Sequence, residues 1–355
     1  MFQDFLEKHN IKPQTLAVGV SGGADSLACV LILNDQLSKK GYKIVALTVD
    51  HKLRPSSTDE ATYVKKIMLQ NNIEHHILTW SGKKPSTGIE ERARQARYNL
   101  ICNWCQKNNV SYLITAHHLF DQAETFLMRL QRGSGLDGLC GMNELSKISN
   151  ITILRPFLTT DPSVFKAYLK KRRISWIEDE SNNDENLLRV RVRRFLPLLE
   201  EATDISPLKI VQTMQRLQNS RDYFSFKIQS LIQNNFKRWH EIAYSCQENF
   251  FLSQPQELQY RLICFLLQSI SQAAYQPEAE KVLKLIEKMQ SKTFKSSTLG
   301  HCQILSKNNQ FWFLPEKVET GCYSPKYWKE YTKQHNFKKT DKIPASLKRL
   351  ILNNN

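Results

Sequence analysis

Leu16-Ala17-Val18-Gly19-Val20 leads without a break into Ser21-Gly22-Gly23-Ala24-Asp25-Ser26, and a helical pattern continues from about Ser26 to Lys40. The order is strand, glycine loop, helix. Two glycines let backbone approach a ligand closely, successive amides can form an anion nest, and the helix N-terminus adds partial positive charge, so Ser21 to Ser26 reads as a phosphate cradle. The loop has neither the lysine of a Walker A motif nor the G-x-G-x-x-G spacing of a dinucleotide fold. A bare carboxylate there would repel phosphate unless a divalent cation such as Mg²⁺ bridges the two, which makes Asp25 the candidate metal ligand. The competing reading is a glycine-rich turn with Ser26 as the helix N-cap.

Outward from this stretch the alternation continues. Apolar runs at Ile44 to Asp50, His76 to Trp80 and Tyr112 to Ala116 are separated by helical patterns at about Thr58 to Asn71 and Ile89 to Asn108, and another follows at Asp121 to Arg132. Strands alternating with helices of this length predict an α/β fold, a doubly wound parallel sheet with the ligand at the carboxyl ends of its strands beside the switch point. After about residue 205 the periodicity is helical without strands, with Ile210, Met214 and Leu217 at spacings of four and three. Ser297 to Leu314 predicts a hairpin turning at Lys307-Asn308-Asn309, and the tail from Lys317 is rich in Lys, Tyr and Asn. Three parts are expected: an α/β ligand-binding domain at 1–205, a helical domain at 206–290 and a small α+β region at 291–355.

The 355 residues are 41% hydrophobic and 24% charged, which excludes disorder for most of the chain. No apolar run approaches the roughly 20 residues that span a bilayer, and Asp4, Glu7 and Lys8 occupy the place of a signal peptide's apolar core, so a cytoplasmic protein without membrane association is expected. The eight cysteines lack the spacing of a disulfide framework; Cys102 and Cys105 form one C-x-x-C inside a helical pattern, read as two helical cysteines without a metal. The net charge of +16 divides unevenly, +6 over residues 1–210 and +10 over residues 211–355. Such an excess suits a polyanionic partner, or else simply keeps the surface solvated.

Other residues gather at the ligand edge of the expected sheet. Asp50 and His51 end the second strand beside the loop, where a nucleoside would lie, although Asp50 could equally cap a turn. Arg94 and Arg97 share a helical face that can reach phosphate or remain a solvated charged face. His117 follows the fourth strand, and Asp121 and Glu124 lie three apart on the next helix. Two carboxylates there could hold a cationic amine and assist its deprotonation, or serve as first-turn acids favoured by the helix dipole. Arg189, Arg191 and Arg193 would form a row facing phosphate if extended, and would spread out if helical.

Ser21 to Ser26 resembles the SGGxDS signature of the PP-loop ATP pyrophosphatases, enzymes that transfer AMP from ATP to an oxygen and release pyrophosphate. Further stretches make residues 14 to 200 similar to one family, the tRNA(Ile)-lysidine synthetases. These are Val49-Asp50-His51-Lys52-Leu53-Arg54, Glu91 to Tyr98, Ala116-His117-His118 with Asp121 to Thr125, Arg132-Gly133-Ser134-Gly135-Leu136, Arg155-Pro156-Phe157-Leu158 and Glu178 to Leu198. The resemblance implies an enzyme that uses ATP and Mg²⁺ to adenylate the wobble cytidine of an isoleucine tRNA with a CAU anticodon, then joins free lysine to C2 to give lysidine. It implies that Ser21 to Ser26, Asp50 and His51 hold ATP, Arg97 and His117 assist adenylyl transfer, Asp121 and Glu124 receive lysine, and Arg189, Arg191 and Arg193 contact tRNA. Two positions depart from the pattern: Phe120 stands where the family has an acid, and Val190 where it has Asn. Monomer and homodimer are both left open. Rival readings are an RNA thiolase, which would need a reactive cysteine at the site, a non-catalytic RNA-binding protein, which would not need the intact loop, and a small-molecule ligase, disfavoured by the charge.

Overall fold

Thr15–Gly19 forms β1, in which Leu16, Ala17 and Val18 are wholly buried, as expected of a strand covered on both faces. The computed structural model describes residues 2–53, 55–82, 88–178, 184–239, 243–273 and 276–316. Arg54, the Glu90 side chain, Asp179, Glu180 and the tail from Lys317 lie outside the described residues. Following a short helix α1 (Phe2–Lys8), the first half of the chain runs β1, α2 (Ala24–Leu37), β2 (Lys43–Asp50), α3 (Ser57–Gln70), β3 (Glu74–Thr79), α4 (Ile89–Lys107), β4 (Tyr112–Ile114) and α5 (Leu119–Gln131). All eight elements of the expected alternation are present, with ends shifted by a few residues. A four-residue helix α6 (Leu136–Leu139), the hairpin β5 (Leu145–Ile148) and β6 (Ile151–Leu154), then α7 (Ser163–Lys171) and α8 (Leu188–Thr203) follow.

The six-stranded sheet has the order β3-β2-β1-β4-β6-β5, parallel except for β5. Chain order reverses between β1 and β4, which places the switch point there. Alternate strand residues serve the two faces. Leu16, Val18, Ile44 and Ala46 pack with α1, α2, α3 and α7, whereas Ala17, Val45, Leu47, Leu113 and Ile153 pack with Tyr98, Ile101, Cys102 and Cys105 of α4. Helices cover both sides, so only the strand ends remain for a ligand.

The chain divides into two compact units, Met1–Arg221 and Asp222–Asn355, and α9 (Pro207–Asn235) contributes to both. The strand-free reading after residue 205 is corrected. Besides α10 (Glu248–Leu252), α11 (Gln256–Ser271) and α12 (Ala279–Met289), the second unit holds β7 (Lys237–Trp239) and β8 (Ala243–Gln247). These join β9 (Ser296–Leu299), β10 (Cys302–Lys307) and β11 (Gln310–Pro315) in an antiparallel sheet of order β7-β8-β11-β10-β9. Strands of three and five residues are too short to show their period in the sequence. The expected hairpin is β10–β11: Lys307 pairs with Gln310 across Asn308 and Asn309, whose φ values of 56° and 57° suit a two-residue turn of the primed type. Among the described residues no helix is long and apolar enough to cross a membrane.

Candidate active site

The loop after β1 is held open by its own chemistry. Gly22 has φ +94°, and a Cβ on it would lie 2.6 Å from Ile177 Cδ1, so glycine is required both for the backbone angle and for the approach of residue 177. Ile177 N–H donates to Gly22 O at 3.0 Å. The N-cap of α2 is Gly23, and Ser26 is not the cap; its Oγ accepts from Ser21 N–H at 3.1 Å and donates to Gly23 O at 3.1 Å, tying the turn to the helix. The amides of Ala24, Asp25 and Ser26 open α2 and so have no intrahelical acceptors, which leaves them for an anion.

Asp25 stands in the first turn of α2 with its side chain 38% exposed, and His118 Nε2 lies 3.5 Å from one of its oxygens. His118 is the N-cap residue of α5. Its Nε2 is also 3.5 Å from Asp121 Oδ2, which accepts the His118 N–H at 2.9 Å. Burial opposes charge on His118, but the hydrogen bond to Asp25 and the carboxylates of Asp121, Asp25 and Glu124 outweigh it and raise its pKa above the ordinary value. Mg²⁺ is typically bound by one or two carboxylates together with substrate phosphates, and a half-exposed Asp25 at the mouth of an amide cradle fits an ion that arrives on a phosphate chain. No self-sufficient group of three His, Cys, Asp or Glu exists among the described residues.

His117, three residues beyond the end of β4, behaves differently from its neighbour. Burial pushes its pKa down to about 4; Asp121 works against this, and Arg155, Arg189 and Arg94 reinforce it, so the ring is neutral near pH 7. Its Nδ1 is 2.8 Å from Thr115 Oγ1.

Residues 188 to 203 are helical, which settles the two readings of the arginine run: Arg189 and Arg193, four apart, share a face, while Arg191 is exposed. The shared face meets α5. Arg189 Nε and Arg193 Nε each donate to a Glu124 oxygen at 2.6 Å, and Arg189 Nη2 donates to Asp121 Oδ1 at 2.5 Å. Glu124 is wholly buried. Burial would raise the Asp121 pKa, but His118, Arg189, His117 and the His118 amide hold it low. Two expectations therefore change in character. Asp121 and Glu124 are not bare carboxylates awaiting an amine, because the chain supplies their cations, and Arg189 and Arg193 are not a free row for RNA phosphate. Arg191 keeps an exposed position compatible with that use.

Asp50 takes the turn-capping role: Oδ1 accepts from Lys52 N–H at 3.0 Å and Ser57 Oγ at 2.8 Å, Oδ2 accepts from Thr58 Oγ1 at 2.9 Å, and these bonds hold its pKa low against burial. Three of its acceptor positions are so used, two on Oδ1 and one on Oδ2, and it braces the turn that follows β2. His51 packs edge-on against Trp80 at 5.8 Å. On α4 the Arg94 and Arg97 guanidiniums lie 5.4 and 5.7 Å from the Tyr98 ring centroid, and no carboxylate among the described residues pairs with either. Sequence reasoning passed over His118, Tyr98 and Arg155, although each stood inside a quoted stretch and the His-His pair was the one visible signal. Cys102 and Cys105 are buried on the core face of α4, the first with its thiol pKa raised by burial and the second pushed up to about 12, a poor setting for sulfur chemistry.

The PP-loop domain family model matches residues 1–199. A tRNA(Ile)-lysidine synthase of Wolbachia pipientis wMel is 33% identical over 308 residues, covering 86% of this chain and 71% of the relative. One from Ruegeria pomeroyi is 30% identical over 312 residues, covering 87% of this chain and 73% of the relative. Among solved structures, the U34-tRNA thiolase NcsA from Methanococcus maripaludis, with its [4Fe-4S] cluster, superposes with a TM-score of 0.51 at 18% identity, covering 58% of this chain and 72% of that one, a likeness of fold.

Proposed function

We propose, on the premise that this chain belongs to the tRNA(Ile)-lysidine synthase family of PP-loop enzymes, that it joins lysine to C2 of the wobble cytidine of an isoleucine tRNA with a CAU anticodon, releasing AMP and pyrophosphate. The observation that carries the reading is the meeting, at the carboxyl ends of β1 and β4, of an amide cradle for phosphate, the Asp25 carboxylate and a neutral His117.

In this reading the cytosine C2 oxygen attacks the α-phosphorus of ATP and pyrophosphate departs, cradled by residues 21–26. Bound Mg²⁺, held by Asp25 and phosphate oxygens, would neutralise the charge that develops on the leaving group. Arg97 steadies the α-phosphate, and His117, being neutral, can accept the N4–H proton that the cytosine sheds once its C2 oxygen is adenylated. The C2 oxygen, a poor leaving group alone, then leaves as part of AMP when the lysine ε-amine attacks C2. The amine is received at the Asp121 end of the carboxylate pair, since the Asp121 side chain keeps 13% exposure and Glu124 none. Arg191 and the basic second part, including the RNA-binding domain we place at 206–290, grip tRNA, whose target base must unstack to reach the pocket. The reaction takes place in the cytoplasm.

The test is incubation with ATP, radiolabelled lysine and transcripts of isoleucine and methionine tRNA. Lysine label should enter only the isoleucine transcript, with one AMP formed per lysine. Transfer of sulfur to RNA, or RNA binding without ATP consumption, would overturn the assignment.

A further inference from the structure

Buried cations ordinarily lie against carboxylates. Arg155 does not. It follows β6 at the ligand edge of the sheet with 7% of its surface exposed, its Nη1 donating to Asn143 O and Ser146 Oγ at 2.9 Å each. The guanidinium also reaches the Tyr98 hydroxyl, and its Nε is buried without an acceptor among the described residues. Tyr98 in turn lies beside Arg94 and Arg97. Three guanidiniums thus surround one phenol, and no carboxylate among the described residues pairs with any of them. The register Ile114↔Leu154, with Thr115 N–H donating to Leu154 O at 3.0 Å, puts Arg155 level with Thr115, the residue that holds His117.

We propose that Arg155 is a positioning residue of the adenylylation step, fixing Tyr98 beside Arg94 and Arg97 and setting next to His117 a positive charge that no carboxylate among the described residues meets. The proposal rests on the reading of this site as an adenylyl-transfer centre. A mere brace between the sheet and α4 would need only a neutral donor for Asn143 O, Ser146 Oγ and Tyr98. The charge meets no carboxylate among the described residues, so its field is free to act on negative charge that grows in the transition state. The same charge works on His117, which faces Arg155 from the end of β6, Arg94 from α4, Arg189 from α8, Asp121 from α5 and His118 next in the chain. Of these only Asp121 favours protonation of His117, and Arg189 already pairs with that carboxylate. Arg155 thereby helps keep His117 able to accept the N4–H proton that the cytosine sheds once its C2 oxygen carries AMP.

Arg155→Met, Arg155→Lys and Tyr98→Phe separate the parts. Adenylylation is read as transfer of label from α-labelled ATP to tRNA, with its pH profile, and His117 is followed by NMR titration of the imidazole. Arg155→Met should lower kcat about tenfold or more while the KM for ATP changes less than about threefold, and should move the acidic limb and the His117 titration upward by roughly one pH unit. Arg155→Lys should keep the limb but lose rate, and Tyr98→Phe should do the same. A wild-type limb and wild-type His117 titration in Arg155→Met would overturn the proposal, as would a raised KM with kcat preserved. If Arg155→Met does not fold, rates within twofold of wild type for both Arg155→Lys and Tyr98→Phe would overturn it. A wild-type protein without adenylylation would remove the functional reading of the site, and the His117 titration would still decide whether Arg155 controls that ring.

Discussion

Replacing Glu124 by Gln separates an ion-pair anchor from a substrate ligand. Glu124 is wholly buried and each of its oxygens accepts a guanidinium at 2.6 Å, so the substitution leaves Arg189 and Arg193 facing a neutral amide. Breaking a fully buried pair costs about 3 to 5 kcal/mol and an exposed pair about 0 to 1. The arginine side chains are 40% and 43% exposed, which places this network between the limits, at about 2 kcal/mol. For a unit of this size the melting midpoint should fall by about 4 to 8 °C. Urea unfolding of Glu124→Gln, Arg193→Met and the double variant should give a coupling of about 1 kcal/mol or more, because the second substitution removes a partner already lost. Adenylylation and lysine transfer should both decline, since only the Arg189–Asp121 pair and apolar packing then hold α8 to α5. Unchanged stability, unchanged adenylylation and only a raised lysine requirement would refute this reasoning and make Glu124 a direct ligand of the amine.

Further outcomes follow from other parts of the site. Asp25→Ala should abolish AMP transfer at every Mg²⁺ concentration with an unchanged melting curve, because it removes a half-exposed carboxylate and no core group; full activity would remove the metal assignment. Gly22→Ala places a methyl group at φ +94° and 2.6 Å from Ile177 Cδ1, so it should lose about 1 to 3 kcal/mol of stability and raise the KM for ATP, measured by urea unfolding and initial rates. The raised pKa of His118 contributes stability that is complete below about 6.5 and is lost as pH rises through the folded value. The lowered Asp121 contributes above about 3.9 and is lost as pH falls through its folded value, so this pair is most stabilising between roughly pH 4 and 6.5. His118→Gln should flatten the decline in unfolding free energy above that window. Arg191→Ala should weaken tRNA binding and make the plot of log affinity against log salt shallower by about 0.7 to 0.9, read by filter binding; an unchanged slope would take Arg191 out of the interface.

The phosphate loop, the alternating first half and the Asn308-Asn309 turn could be read from the chain because their causes are local: strand and helix periods, glycine at a strand-to-helix junction, and asparagine at positive φ. Belonging to the PP-loop family was readable for the same reason, since its stretches occur in fixed order. The partners of the charged residues were not. Glu124 and Arg193 are 69 residues apart, and nothing in either neighbourhood says whether a carboxylate will meet a substrate amine or a guanidinium of its own chain. That was decided when α8 formed as a helix and turned the Arg189–Arg193 face toward α5. Asp50 could be read from the chain as a nucleotide ligand or as a turn cap, and only the turn after β2 shows Ser57 and Thr58 on its oxygens. Arg155 drew no attention because a single arginine beside a proline has no pattern, and its burial with no carboxylate against it among the described residues arises only once β6, β4 and α4 are packed together. Periodicity reports what a segment does with its own neighbours; the electrostatics of a site depend on which faces tertiary packing brings opposite each other.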